Sequence, residues 1–97
     1  MKITTKQNQY LRRLAHHLKP VIIIGGSGLT QAVLDEIDIV LERHELIKVK
    51  MNAGDRTTRQ EYAANISTNC HCHHVQSIGR IAIFFRKSKE SKISLPK

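Results

Sequence analysis

Tryptophan is absent from this chain, and the aromatic set is reduced to Tyr10, Tyr62, Phe84 and Phe85. Proteins that hold single strands by stacking bases need a platform of exposed rings, so this scarcity argues against that mode of recognition. No run approaches the roughly 18 to 20 apolar residues that span a bilayer. The start of the chain, Ile3-Thr4-Thr5-Lys6-Gln7, offers no apolar core for a secretory signal. A membrane partner is therefore not expected, and the cytoplasm is the expected compartment. The two cysteines, Cys70 and Cys72, are one residue apart, too close for an ordinary structural disulfide. Acidic residues are missing altogether from 1–34, which hold five Lys and Arg, and residues 86–97 set five Lys and Arg against Glu90 alone.

Catalytic groupings are missing too. Asp35, Glu36, Asp38, Glu42 and Glu45 spread along one stretch without an evident partner base, and no Ser-His-Asp or Cys-His constellation has a recognisable setting. No Gly-Lys-Ser/Thr follows a glycine turn, which excludes a Walker loop. The spacing Gly26-x-Gly28-x-x-Gln31 lacks the third glycine of a dinucleotide fingerprint. Nor does the second strand end in a ribose-binding acid, although Asp55 is nearby. Neither an enzyme nor a cofactor is expected.

What is present is positive charge. The 97 residues, one domain's worth, carry a formal net charge of +8, with a pI near 9.9. The uneven placement of the acids gives one surface a positive potential suited to a polyanion.

Periodicity divides the chain into seven elements. Thr4 to Lys19 reads as a helix, with a Thr4/Gln7 capping box and a stripe of Leu11, Leu14, Ala15 and Leu18. Pro20 stops it, and Lys6, Arg12, Arg13 and His17 make its outer face basic. Val21 to Ile24 is β-branched without alternation, which predicts a strand buried on both faces. A second helix runs from an N-cap at Thr30 to His44, with Leu29 and Leu34 as a hydrophobic staple and its acids turned largely to solvent. Ile47, Val49 and Met51 alternate with Lys48 and Lys50 in a half-exposed strand. Asn52 to Asp55 reads as a loop. A third helix starts at Thr57 or Thr58, turns Tyr62, Ala63 and Ile66 inward and frays near Asn69. Val75–Ile78 and Ile81–Phe85 flank a two-residue hairpin connection, Gly79-Arg80. The basic tail, 86–97, is pinned by Ile93 and Leu95. The fold class is α/β, in the order α-β-α-β-α-β-β: a four-stranded mixed sheet with three helices.

Between the first strand and second helix lies Gly25-Gly26-Ser27-Gly28. A side-chain-poor turn at a helix N-terminus presents backbone N–H groups at the positive end of the helix dipole, a ready place for a phosphate. It is equally a tight connection that needs a positive φ. Lys48 and Lys50 share a strand face, either to extend a phosphate track or to keep a surface strand from aggregating. Of the adjacent His16 and His17, one is placed to fold under the glycine turn and the other to lie near the polyanion; His16 reads more simply as a partly buried helix histidine. Cys70-His71-Cys72-His73-His74 invites a zinc site, but its C-x-C spacing and the absence of a second ligand pair exclude the usual finger arrangements. No metal is assigned. The cysteines read as small buried hydrophobes and the histidines as surface variation.

Three runs carry a family resemblance: Leu14-Ala15-His16-His17-Leu18-Lys19-Pro20-Val21, then Ile24-Gly25-Gly26-Ser27-Gly28-Leu29-Thr30, then Leu46-Ile47-Lys48-Val49-Lys50. Together with the Ile78-Gly79 hairpin and the closing Arg86-Lys87-Ser88-Lys89, they resemble the CRM domain, the RNA-binding module named for chloroplast RNA splicing and ribosome maturation. The likeness covers essentially the whole chain and matches the stand-alone bacterial form. It implies a fold similar to the C-terminal domain of translation initiation factor three, and association with ribosomal RNA in precursors of the large (50S) subunit. The family's G-x-x-G loop carries over onto Gly25 and Gly28, where it is compared with the backbone-clamping loop of KH domains. The family often places a Lys or Arg between those glycines, whereas here the pair is Gly26-Ser27.

The expected RNA-binding residues are therefore Gly25, Gly26, Ser27 and Gly28 for fit. Arg12, Arg13, Lys19, Lys48, Lys50, Arg86, Lys87 and Lys89 are expected to supply attraction, in a monomer acting as a large-subunit assembly factor. Two other classes stay open: a basic adaptor docking an acidic ribosome-associated protein, and a small nucleotide-binding module.

Overall fold

The computed structural model describes residues 2–97. Seven elements follow in order: α1 (Thr5–Ala15), β1 (Pro20–Ile24), α2 (Gln31–His44), β2 (Leu46–Met51), α3 (Arg56–Cys70), β3 (His73–Ile78) and β4 (Ile81–Phe85). The strands form one mixed sheet in the order β1-β2-β4-β3. β1 and β2 are parallel, and β4 is antiparallel to both β2 and β3. β2 and β3 thus point the same way with β4 inserted between them.

The pleat sends alternate side chains to two cores. One face buries Ile22, Ile24, Ile47, Val49, Met51, Ala82 and Phe84 beneath α2 and α3. The other buries Leu46, Val75, Ile83 and Phe85 beneath α1, joined by Ile93 and Leu95 of the tail as the sequence leads one to expect. The result is three layers, α1 on one side and the α2–α3 pair on the other.

Caps account for the helix starts. Thr4 and Gln7 form a reciprocal capping box, and the Thr30 hydroxyl accepts the Val33 N–H at 3.2 Å. α3 starts earlier than Thr57: the Asp55 carboxylate accepts the Thr58 N–H at 2.8 Å, making the supposed loop residue the N-cap. α3 also reaches Cys70, closed by His71 in the left-handed region with φ 51°. The Gly79-Arg80 connection is present as expected, with Gly79 at φ 58°.

Two expectations are corrected. α1 ends at Ala15, not Lys19. The chain turns through His16–Leu18, with the Leu18 N–H on the Ala15 carbonyl, so that Pro20 can open β1. Leu18 is consequently exposed, and Leu14 is exposed in the last turn of α1. β1 is buried on one face only. It is the outermost strand, α1 lies over β2, β3 and β4, and Val21 and Ile23 stand 45% and 61% exposed. The acids within α2, Asp35, Glu36, Asp38 and Glu42, are exposed as expected, but the residue that closes the helix is not. Glu45 is wholly buried at the helix C-cap, where its carboxylate accepts the N–H groups of Ser88 and Ile93, both at 2.6 Å. Desolvation would raise its pKa, but these hydrogen bonds prevail and leave it below the usual carboxylate value. One buried anion thereby fastens the basic tail to the domain.

Candidate nucleic-acid interface

The glycine loop leaves β1 at the carboxyl ends of the two parallel strands, the side of an α/β sheet where ligands ordinarily bind. It is a tight turn, closed by the Gly28 N–H on the Gly25 carbonyl at 3.0 Å. The Thr30 N–H then bonds to the Gly28 carbonyl at 3.1 Å, and Asn52 donates to the Ile24 carbonyl at 2.8 Å, tying the loop to the end of β2. Gly28 has φ 74°, and a Cβ built on it would stand 2.7 Å from the Tyr62 hydroxyl. Gly28 is therefore required by the turn itself. Gly25 and Gly26 are different: nothing lies within 4 Å of a Cβ at either, so their bareness leaves open backbone facing solvent. The N–H groups of Gly26, Ser27, Gln31 and Ala32 have no acceptor among the described residues. Two free donors in the loop and two in the first turn of a 14-residue helix suit this end of α2 to an anion.

Register then places the lysines. Lys50 pairs with Ile23 and Met51 with Ile24, so Lys50 stands one residue from the loop. Lys48, two residues back, is the partner of Pro20, which Lys19 immediately precedes. Lys50, Lys48 and Lys19 thus mark a line along the β1–β2 edge; Lys48 and Lys50 are on the α1 side of the sheet, toward the loop end of β2. Arg12 and Arg13 are exposed on α1 itself. Arg12 reaches β3, where the Gln76 amide oxygen, in the orientation that satisfies both groups, accepts its guanidinium at 2.8 and 3.2 Å.

The residues after β4 lie at the opposite end of the sheet, since Phe85 pairs with Leu46 while Ile81 pairs with Lys50. Strands of this length separate the two ends by roughly 17–20 Å. Lys87 and Lys89 are exposed there. Arg86 is not free. Its side chain is only 16% exposed and pairs with Asp38, with Glu42 at 3.8 Å. It also donates to the carbonyls of Cys70 and Asp38, both at 2.9 Å. Its charge belongs to the fold.

Neither His16 nor His17 lies buried under the loop. Both are exposed, edge to face at 5.5 Å, and Tyr62 fills the place beneath Gly28. In the Cys/His run, Cys70 is buried and Cys72 partly so, both as free thiols. Burial pushes the Cys70 thiol up and the Cys72 thiol to about 12. His73 and His74 are more than surface variation. The His73 ring nitrogen Nε2 pairs with Asn8 Oδ1 at 2.8 Å, and the His74 ring packs on Phe84 with centroids 5.3 Å apart. Burial lowers both pKa values.

Sequence reasoning overlooked Arg56, Arg59 and Arg80. They stand at the loop end of the sheet, around a hollow between α3 and the β3–β4 hairpin. The signal was present: Arg56, Arg59, Gln60, Ala63 and Ala64 fall at i, i+3, i+4, i+7 and i+8 on one helix face. No helix among the described residues is long and apolar enough to cross a membrane.

Residues 3–86 match the model of the CRS1/YhbY (CRM) domain. A Haemophilus influenzae protein named "RNA-binding protein" is 48% identical over 95 residues, covering 98% of this chain and 96% of that protein. A Bacillus subtilis protein named "Probable RNA-binding protein YqeI" is 34% identical, covering 97% of this chain and 99% of that one. The solution structure of a hypothetical Staphylococcus aureus protein superposes with a TM-score of 0.85 at 38% identity, covering 98% of this chain and 100% of that one.

Proposed function

The chain belongs to the CRM domain family, and from that premise we propose that it binds RNA, specifically ribosomal RNA in precursors of the large subunit, as a non-enzymatic assembly factor. Relatives named as RNA-binding proteins support the general activity. The ribosomal target rests on the family resemblance. The observation that carries the reading is the meeting, at one end of the sheet, of an open glycine loop, four unsatisfied N–H donors and Lys50.

The mechanism follows from that arrangement. Net positive charge draws the polyanion in, and a close sugar–phosphate segment settles on the backbone donors of Gly26, Ser27 and the first turn of α2. The line Lys50–Lys48–Lys19 continues the phosphate track along the β1–β2 edge, while Arg13 and Arg12 add charge from α1, Arg12 on the β3 side. Lys87 and Lys89 act at longer range. Because Ser27 stands where the family often has a cation, the loop governs fit and the lysines govern attraction. Phosphate contacts position without reading sequence, so recognition follows RNA shape.

The test is co-sedimentation with large-subunit precursors, with crosslink mapping. The expected result is binding abolished by ribonuclease, with crosslinks in the segments around Gly26 and Lys50. Binding that survives ribonuclease would favour protein docking by a basic adaptor instead.

A further inference from the structure

The hollow beside α3 is a groove of about 600 Å³. We propose that it takes one unpaired ribonucleotide of the bound RNA, its phosphate against Arg56, Arg59 and Arg80 and its base over the floor formed by Ala63, Ala64 and Ala82. This rests on the RNA-binding reading above for the strand that presents the nucleotide.

The walls argue for an anion. Three guanidiniums line the groove and no carboxylate does. The nearby Asp55 carboxylate is turned to the Thr58 N–H instead. The side chains of Arg56 and Arg80 form no ion pair and no hydrogen bond among the described residues, and Arg59 spends one donor on the Gly54 carbonyl at 2.8 Å. The floor argues for more than a phosphate. Ala63, Ala64 and Ala82 are small and apolar, Met51 lines the groove with them, and a bare phosphate gains nothing from such a surface. A planar base does, and arginine planes can stack on it where aromatic rings are lacking. The size suits a ligand of that order, since small-molecule sites run to about 300–1,000 Å³.

The rim supplies groups to read a base edge. Gln60 has an amide free of other side-chain partners among the described residues, and Ser77 and His74 stand opposite, linked Oγ to Nε2 at 2.7 Å. Placement completes the case. Tyr62, the residue beneath Gly28, lies on α3 between Gln60 and Ala63, which face the groove. A strand clamped at the loop needs only to cross the first turns of α3 to deliver a nucleotide. The Met51 N–H on the Arg80 carbonyl at 2.7 Å holds the hairpin to the loop end of β2, so the groove is preformed.

The test compares an RNA hairpin carrying one bulged nucleotide with the same hairpin fully paired, and both with a free ribonucleoside monophosphate. Each is titrated into the wild-type chain and into Ala64→Leu, which fills the floor at an exposed helical position where leucine is a good helix former. The wild type is expected to prefer the bulged hairpin about tenfold. Ala64→Leu should erase that preference and leave paired-hairpin affinity unchanged. Equal affinity of the wild type for both hairpins, or an unchanged preference in Ala64→Leu, would overturn the groove while leaving RNA binding by the loop intact. A groove filled by the free monophosphate, with no preference for the bulge, would overturn the assignment to RNA. No binding of either hairpin would overturn the RNA-binding reading itself.

Discussion

The Tyr62 hydroxyl lies 2.7 Å from where a Cβ on Gly28 would stand, at a backbone φ of 74°. Two separate costs follow for any side chain there, one conformational and one steric. Gly28→Ala should destabilise the fold by roughly 1–3 kcal/mol. In a Tyr62→Phe background the steric part is relieved, because the next ring atom, Cζ, is 3.6 Å away. Urea melts of the four proteins of this cycle should show a smaller loss for Gly28→Ala when Tyr62 is Phe. Additivity would mean that Tyr62 does not close the space under the turn.

Lysines on the track and the arginine in the fold should separate cleanly. Lys50→Gln is expected to leave the melting curve unchanged and to lower the slope of log affinity against log salt by about one phosphate's worth. Arg86→Gln should do the opposite. It removes the pair with Asp38 and two carbonyl hydrogen bonds, costing about 1–2 kcal/mol of stability with the salt slope intact. Equal slope changes in both would place Arg86 on the RNA after all.

Acid should act in two stages. His73 and His74 have lowered folded pKa values, chiefly through burial. Their neutral forms are favoured in the fold, so stability is full above the ordinary histidine value of about 6.5 and falls as pH drops through their lower folded values. Glu45, also lowered, holds its contribution above the ordinary glutamate value of about 4.3 and loses it at still lower pH. Thermal melts across pH 3–8 should fall in both ranges. His74→Phe should shrink the upper one to the His73 share and Glu45→Gln should flatten the lower, the latter with loss of protease resistance in 86–97.

Much of this was legible in the sequence because it depends on local chemistry. Thr30 announces the start of α2 by its side chain, and Lys48 and Lys50 announce a one-sided strand by their alternation with Ile47, Val49 and Met51. The hairpin at Gly79-Arg80 is equally local. What the sequence hid depends on order in space. Val21 and Ile23 read as buried because an aliphatic run reports a strand but not its place in a sheet, and β1 proved outermost. Leu18 keeps helical spacing past the point where the chain turns back to reach Pro20. Glu45 gave no local sign of its burial, since its partners, Ser88 and Ile93, lie more than forty residues away. Arg80 and Arg56 meet only because α3 packs against the hairpin.

The buried thiols give a further check. With burial raising Cys70 and carrying Cys72 to about 12, neither is a thiolate at neutral pH. A thiol reagent at pH 7.5 should label almost nothing in the native protein and both cysteines in denaturant. Rapid native labelling would mean that the α3–β3 junction opens readily.

The central claim is that open backbone at the glycine loop receives RNA phosphate. Gly26 is the position that isolates it, because a side chain there meets nothing within 4 Å and requires no positive φ. The decisive measurement is the affinity of folded Gly26→Asp for a large-subunit ribosomal RNA fragment, with its melting temperature measured alongside. The account predicts an unchanged melt and a loss of affinity of at least about tenfold, from a carboxylate set among the free N–H donors. Wild-type affinity in the folded variant would contradict it and reduce the loop to a turn.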